Sequence, residues 1–173
     1  MTATYANITE TNALTALRTF VLTYVDCEVV RAPANRAAMP KNDFIALTPI
    51  RQAALETNAH AYTATEETVK RPTQFTIQAD FYGARAGDRA HTITTLFRDE
   101  IACAALAASG FDIQPLFASD PQQLPIVTGE EQYLERWTSL FELQMNPILT
   151  IPIETANTLA VGVLNVDRTY PPN

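Results

Sequence analysis

The sequence predicts an α/β (α+β) fold in which two main helices pack on a sheet, and three features predict it. Gln74–Tyr82 alternates without a fault: Phe75, Ile77, Ala79 and Phe81 point one way, Gln74, Thr76, Gln78 and Asp80 the other. Tyr133–Asn146 carries Tyr133, Trp137, Phe141, Leu143 and Met145 at odd positions and mostly polar residues between them, the period of a strand with one buried face. Two further stretches repeat their apolar residues at helical spacing.

In order along the chain, Leu14, Leu17, Val21 and Tyr24 recur at steps of three, four and three, which places them on one face of a helix opened by Thr9 or Thr11 and ending near Asp26. Cys27–Arg31 reads as a strand. Residues 32–43 have neither period and contain Pro33 and Pro40, so they read as a stiffened loop. Phe44–Ile50 is a strand, placed on a sheet edge because Pro49 has no amide donor. Residues 51–63 fit helix or strand, and their position between two strands favours an antiparallel continuation of the sheet. Ala64–Pro72 is polar and charged and reads as a mobile connection or the tip of a long hairpin.

After Gln74–Tyr82, Gly83–Gly87 makes a turn and Asp88 is placed to cap. Ala90, Ile93, Phe97, Ile101 and Ala104 then form one helical stripe that stops at Ser109–Gly110. Phe111–Phe117 reads as a short strand, Asp120–Gly129 as an extended loop, and Tyr133–Asn146 as one long strand. Pro147 and Pro152 make Ile148–Ile153 an edge or a bent extension, and Leu159–Val166 is a last strand.

With 173 residues the chain is expected to form one domain spanning 1–173. Apolar residues make up 47%, and no apolar run approaches the roughly 20 residues of a membrane span. Met1–Asn7 has no basic region followed by an apolar stretch, so the expectation is residence in the cytosol. Cys27 and Cys103 lack a neighbouring cysteine and are read as reduced core residues. A net charge of −7 and a pI near 4.7 oppose docking on a phosphate backbone.

Chemistry is sparse. The five glycines fit neither dinucleotide nor nucleotide loop spacing, and His60 and His91 stand alone instead of in the cluster of His, Cys and carboxylates that a zinc site would want. Adjacent carboxylates at Glu66–Glu67, Asp99–Glu100 and Glu130–Glu131 point in different directions on either a helix or a strand, so all three read as solvated faces. One catalytic constellation is conceivable: Asp80, His91 and Cys103, or Ser109, if strand and helix brought them together. Tyr133, Trp137 and Phe141 could stack bases, but Glu131, Glu135 and Glu142 flank them, so core packing is the better reading. Arg31, Arg36, Lys41, Lys70 and Arg71 gather in the two irregular loops, where they serve solubility or meet an acidic partner surface.

Several short motifs occur in a fixed order: Asn35-Arg36 with Met39-Pro40, Ile77–Gly83, Leu96–Glu100, Gly110–Ile113, Asp120–Pro125, Gly129–Tyr133 with Glu135–Trp137, and Asn165–Asp167 before Tyr170–Pro172. In that order they resemble the neck (tail) terminator proteins of tailed bacteriophages and prophages, over roughly residues 10–172. The resemblance implies helices on a mixed, mainly antiparallel sheet, and a structural virion protein with no catalytic residue, cofactor or metal. It further implies a homohexameric ring that caps the tail tube and joins the tail to the head connector. The implied partners are other copies of the chain, the tail tube protein, the sheath if the tail is contractile, and the connector or stopper; no membrane is involved. Six copies would carry about −42, and an acidic bore would let DNA pass without specific binding. The expected location is the virion neck, after assembly in the host cytoplasm. Candidate inter-subunit or inter-ring contacts are Arg31, Asn35, Arg36, Met39, Lys41, Lys70, Arg71, Asp80 and Arg136. The alternatives are another connector or stopper completion protein, or a small enzyme or ligand-binding domain.

Overall fold

The computed structural model describes residues 4–32, 40, 42–124, 126–127 and 133–154. In chain order its elements are α1 (Glu10–Tyr24), β1 (Glu28–Arg31), β2 (Phe44–Ala54), β3 (Ala59–Tyr62), β4 (Glu66–Lys70), β5 (Thr73–Tyr82), α2 (Ala86–Phe97), α3 (Glu100–Ala107), β6 (Ile113–Ala118), β7 (Gln122–Gln123), β8 (Ile126–Val127), β9 (Tyr133–Leu134), β10 (Arg136–Met145) and β11 (Ile148–Pro152). The result is an α+β fold with a mixed, mainly antiparallel main sheet and three helices, where the sequence suggested two.

Thr9 opens α1 through a reciprocal cap, its side chain accepting from the Asn12 amide while its own amide donates to Asn12 Oδ1 at 2.9 Å. Leu14, Leu17 and Val21 are buried as the stripe requires, whereas Tyr24 sits exposed in the last turn. The main sheet runs β1-β2-β5-β10-β6, with β7 also paired to β10. Among the described residues only β1 and β2 are parallel. The two strands with the clearest alternation lie side by side at its centre, in register from Arg136 opposite Tyr82 to Met145 opposite Thr73. Their odd residues face the helices: Phe75, Ile77, Phe81, Phe141 and Leu143 are buried with Leu17, Ile93, Phe97 and Leu106. The Phe97 ring stands edge-on to Phe141 at 5.0 Å and to Phe20 at 5.9 Å. On the reverse face a smaller cluster of Phe44, Ala46 and Tyr82 is covered by Ile126 and Leu134 of the β8–β9 ribbon.

Several expectations are corrected. The edge position given to Phe44–Ile50 holds only in part. β1 covers Phe44 to Leu47, and Pro49 falls beyond it, at a ladder irregularity where no outer partner needs its amide. Ala64–Pro72 is no loose connection, because Glu66–Lys70 is the middle strand of a second sheet, β11-β4-β3. Thr63 closes that hairpin, its amide donating to the Glu66 carbonyl at 2.8 Å and its hydroxyl accepting from the Glu66 amide at 3.0 Å. Two charges of this stretch find partners, Glu67 in His60 and Lys70 in Asp112. β11 lies at the edge, as its prolines suggested.

The single helix read through residues 90–104 is two. The chain breaks at Arg98–Asp99, where Asp99 is extended and its carboxylate accepts from the Ile101 amide, capping α3. Asp88 lies in the first turn of α2, and Arg85 occupies the cap position without a capping bond from its side chain. The break turns α3 so that Ala102 and Leu106 enter the core while Ile101 and Ala104 face solvent. Gly110 closes α3 at φ +79°, the left-handed region expected of it. The strand read as Tyr133–Asn146 is interrupted at Glu135, whose carbonyl accepts from the Gly83 amide at 3.3 Å, so that β9 leaves for the ribbon. Within Asp120–Gly129, β7 and β8 are short strands. Cys27 is half-buried, and burial pushes its thiol up. Cys103 is exposed on α3, contrary to its assignment to the core; both cysteines are free. Leu159–Val166 and residues 33–39 lie outside the described residues.

Candidate functional site

The catalytic constellation does not assemble. Asp80 alternates with Phe81 along β5, so it faces away from the helices, while His91 and Cys103 are exposed on α2 and α3. Ser109 accepts from the Phe111 amide at 3.3 Å. Phe141 is fully buried and Trp137 partly so, which makes them packing groups rather than a stacking platform. Among the described residues no group of His, Cys, Asp and Glu could hold a metal ion.

The proposed contact residues separate into three places. Asp80 and Arg136 meet on the reverse face of the main sheet. Arg136 donates from Nη2 at 2.8 Å and Nε at 3.1 Å to Asp80 Oδ1, and Gln78 Nε2 donates to both carboxylate oxygens at 3.0 Å. Their register forces the meeting, since Arg136 and Tyr82 are paired residues and Asp80 is one step on the same face. The side chains of Asp80 and Arg136 are 8% and 22% exposed, and they are paired with each other within the subunit. Arg31 ends β1 exposed and pairs with Glu10 of α1. Lys70 and Arg71 lie at the base of the second sheet. Lys70 reaches Asp112 at 3.4 Å, and Arg71 is exposed with its amide fixed to the Pro147 carbonyl at 3.1 Å. Asn35, Arg36, Met39 and Lys41 lie outside the described residues.

The second sheet stands out as an arm. All four residues of β3 are exposed, and Val69 is the buried residue of β4. On one face Glu67 accepts from Nδ1 of His60 at 2.7 Å, and the His60 and Tyr62 rings lie nearly parallel. The bond from His60 holds the Glu67 carboxyl below its usual range, and Glu67 in turn pushes the Tyr62 hydroxyl up.

An ionic cluster that the sequence reading missed lies at the far end of the main sheet. Arg89 of α2 is buried, donating from Nη1 to Asp43 at 2.7 Å and from Nη2 to Asp26 at 3.1 Å, while Arg85 Nη2 reaches Asp26 at 2.6 Å. Bonds from Arg89 and then Arg85 hold the Asp26 carboxyl below its ordinary value. Burial works against the charge on Arg89, but its bonds to Asp43 and Asp26 prevail and raise its value. Gly83, at φ +108°, makes room here: a Cβ would stand 1.9 Å from Asp43 Oδ1. Beside the cluster is an open cavity of about 440 Å³ bordered by Arg85, Gly87, Asp88, His91, Glu135 and Trp137. Trp137 Nε1 donates to Glu135 Oε1 at 2.9 Å, and the backbone of Gly87 lies against the indole.

A family model described as "Phage neck terminator protein" matches residues 14–167. Among solved structures, the fold is similar to the sheath/tube terminator of an extracellular contractile injection system, PVC, in its extended state. The TM-score is 0.50 at 8% identity, with 94% of this chain and 64% of the other chain covered, so this chain spans somewhat less than two thirds of that protein's length. No curated protein matches the sequence.

Proposed function

The chain belongs to the phage neck terminator proteins, a structural and non-enzymatic family, and we propose on that premise that it forms a homohexameric ring capping the tail tube. The ring joins the completed tail to the head connector or stopper, and its place is the neck of the virion. The observation that carries this reading is the family match over residues 14–167, nearly the whole chain. The likeness in fold to a protein that terminates a sheath and tube agrees with it.

The work is docking by shape. A two-layer body gives each subunit a rigid frame, and irregular loops and projecting hairpins on such frames carry contacts. The segments of residues 31–43 and 61–72 are the ones that reach neighbouring subunits or rings, with Arg31, Lys70 and Arg71 among their contact residues. DNA passes through the bore without specific binding, and the charge of −7 per subunit supports an acidic lining. Electron microscopy of the purified protein, alone and mixed with isolated tail tubes, tests the reading. Six-fold rings, free or seated on tube ends, are expected. Protein that neither forms rings nor binds tube ends would overturn it, and a strongly basic bore would reject the acidic lining.

A further inference from the structure

The two ends of the main sheet differ in charge. At the end where β5 finishes and β10 begins, Asp26, Glu28, Asp43, Asp80, Asp88 and Glu135 stand against Arg85, Arg89 and Arg136. Arg85 and Arg89 are already engaged by Asp26 and Asp43. Asp88 is exposed and makes no ion pair among the described residues, and Glu135 commits only Oε1 to the Trp137 indole. The cavity, which Arg85 (paired with Asp26) and His91 also border, therefore offers two carboxylates and an indole to a visitor. At the other end, where β5 begins and β10 finishes, Arg51, Lys70 and Arg71 are set against Glu56 and Asp112. Arg51 and Arg71 are exposed and form no ion pair among the described residues.

Resting on the ring reading, we infer that the Trp137–Glu135–Asp88 cleft of one subunit receives Arg71 from the next copy of the same chain. A guanidinium suits the cleft, because it can lie against an indole and donate to two carboxylates around its planar fork. Arg71 is rigidly mounted between the end of β4 and Pro72, with its amide bonded to Pro147. It cannot fill its own cleft, since the ten residues of β5 put about 30 Å between the two ends. Donor and acceptor are thus unlike surfaces carried on every copy, the head-to-tail relation from which identical subunits close into rings.

Charge reversal tests the pairing. Sedimentation velocity across a concentration series would compare the wild type, Arg71→Glu, Asp88→Lys and the double variant, with circular dichroism confirming that each folds. Each single reversal is expected to raise the concentration for half-assembly about tenfold or more, and the double variant to recover most of that loss. Arg71→Gln and Asp88→Asn, milder changes at exposed positions, should weaken assembly in the same direction. If the wild type assembles and the single variants match it, or the double variant fails to recover, the inference is overturned while the ring reading stands. A basic segment of another virion protein as the true occupant would give that second pattern, no recovery. A wild type that stays monomeric and leaves tube ends bare rejects both.

Discussion

The main sheet and the arm are both ladders of mostly antiparallel strands, yet they are held by different forces. In β5 every residue but Gln74 and Gln78 is buried, with helices on one face and the β8–β9 ribbon on part of the other. In β3 no residue is buried, and the arm keeps its shape through backbone bonds, the Thr63 turn and the burial of Val69. Apolar burial sets the stability of the body, whereas the arm adds little to it and leaves its side chains free to meet something else. The difference separates the part that must be stiff from the part that is available.

Substitutions ought to divide along the same line. Phe141→Ala, deep in the body against Phe97, is expected to cost about 3–5 kcal/mol in urea unfolding; a loss below about 1 kcal/mol would mean that the two layers do not share one core. Gly83→Ala should cost about 2–3 kcal/mol, since a side chain at φ +108° is strained and its Cβ would displace Asp43 from Arg89. Val69→Ala is expected to shift global unfolding by about 1 kcal/mol or less. Its effect should show instead as faster amide exchange confined to β3, β4 and β11, and exchange that quickens equally in β5 would erase the distinction between arm and body.

The smallest effect concerns pH. Asp26 has a lowered folded value, so its contribution is complete above the ordinary carboxylate value and disappears as pH falls through the lowered one. Asp26→Asn should therefore flatten the loss of stability as pH falls below the ordinary carboxylate value. Identical acid profiles for the two proteins would show that the Arg85–Asp26–Arg89 cluster is not felt in folding.

What the sequence made legible was whatever lies within one element. The alternation of Gln74–Tyr82, the Thr9 cap and the stop at Gly110 each depend on neighbours a few residues away, and all three stand in the structure. Pro49 does lie where β2 has no outer partner among the described residues, but the edge does not extend to Phe44–Leu47, because the edge of a sheet is a property of the partner strand and β1 covers those residues. Asp99-Glu100 was weighed as a carboxylate pair, so the helix cap that Asp99 supplies went unread. The ionic contacts were out of reach for the same reason on a larger scale. Arg89 finds Asp43 and Asp26 at separations of 46 and 63 residues, and Arg136 finds Asp80 at 56, pairings that only topology and register create.

The register of β5 against β10 has a mechanical side. Two neighbouring strands bonded along ten residue pairs, with β6 and β7 continuing the ladder beyond β10, give way to a pull along their length only if many bonds break at once. A pull across them would instead unzip the bonds one after another. A joint that transmits tension when a virion is stretched or struck would do well to align that direction with its load, and the hairpin arm, opened from its tip, would yield first.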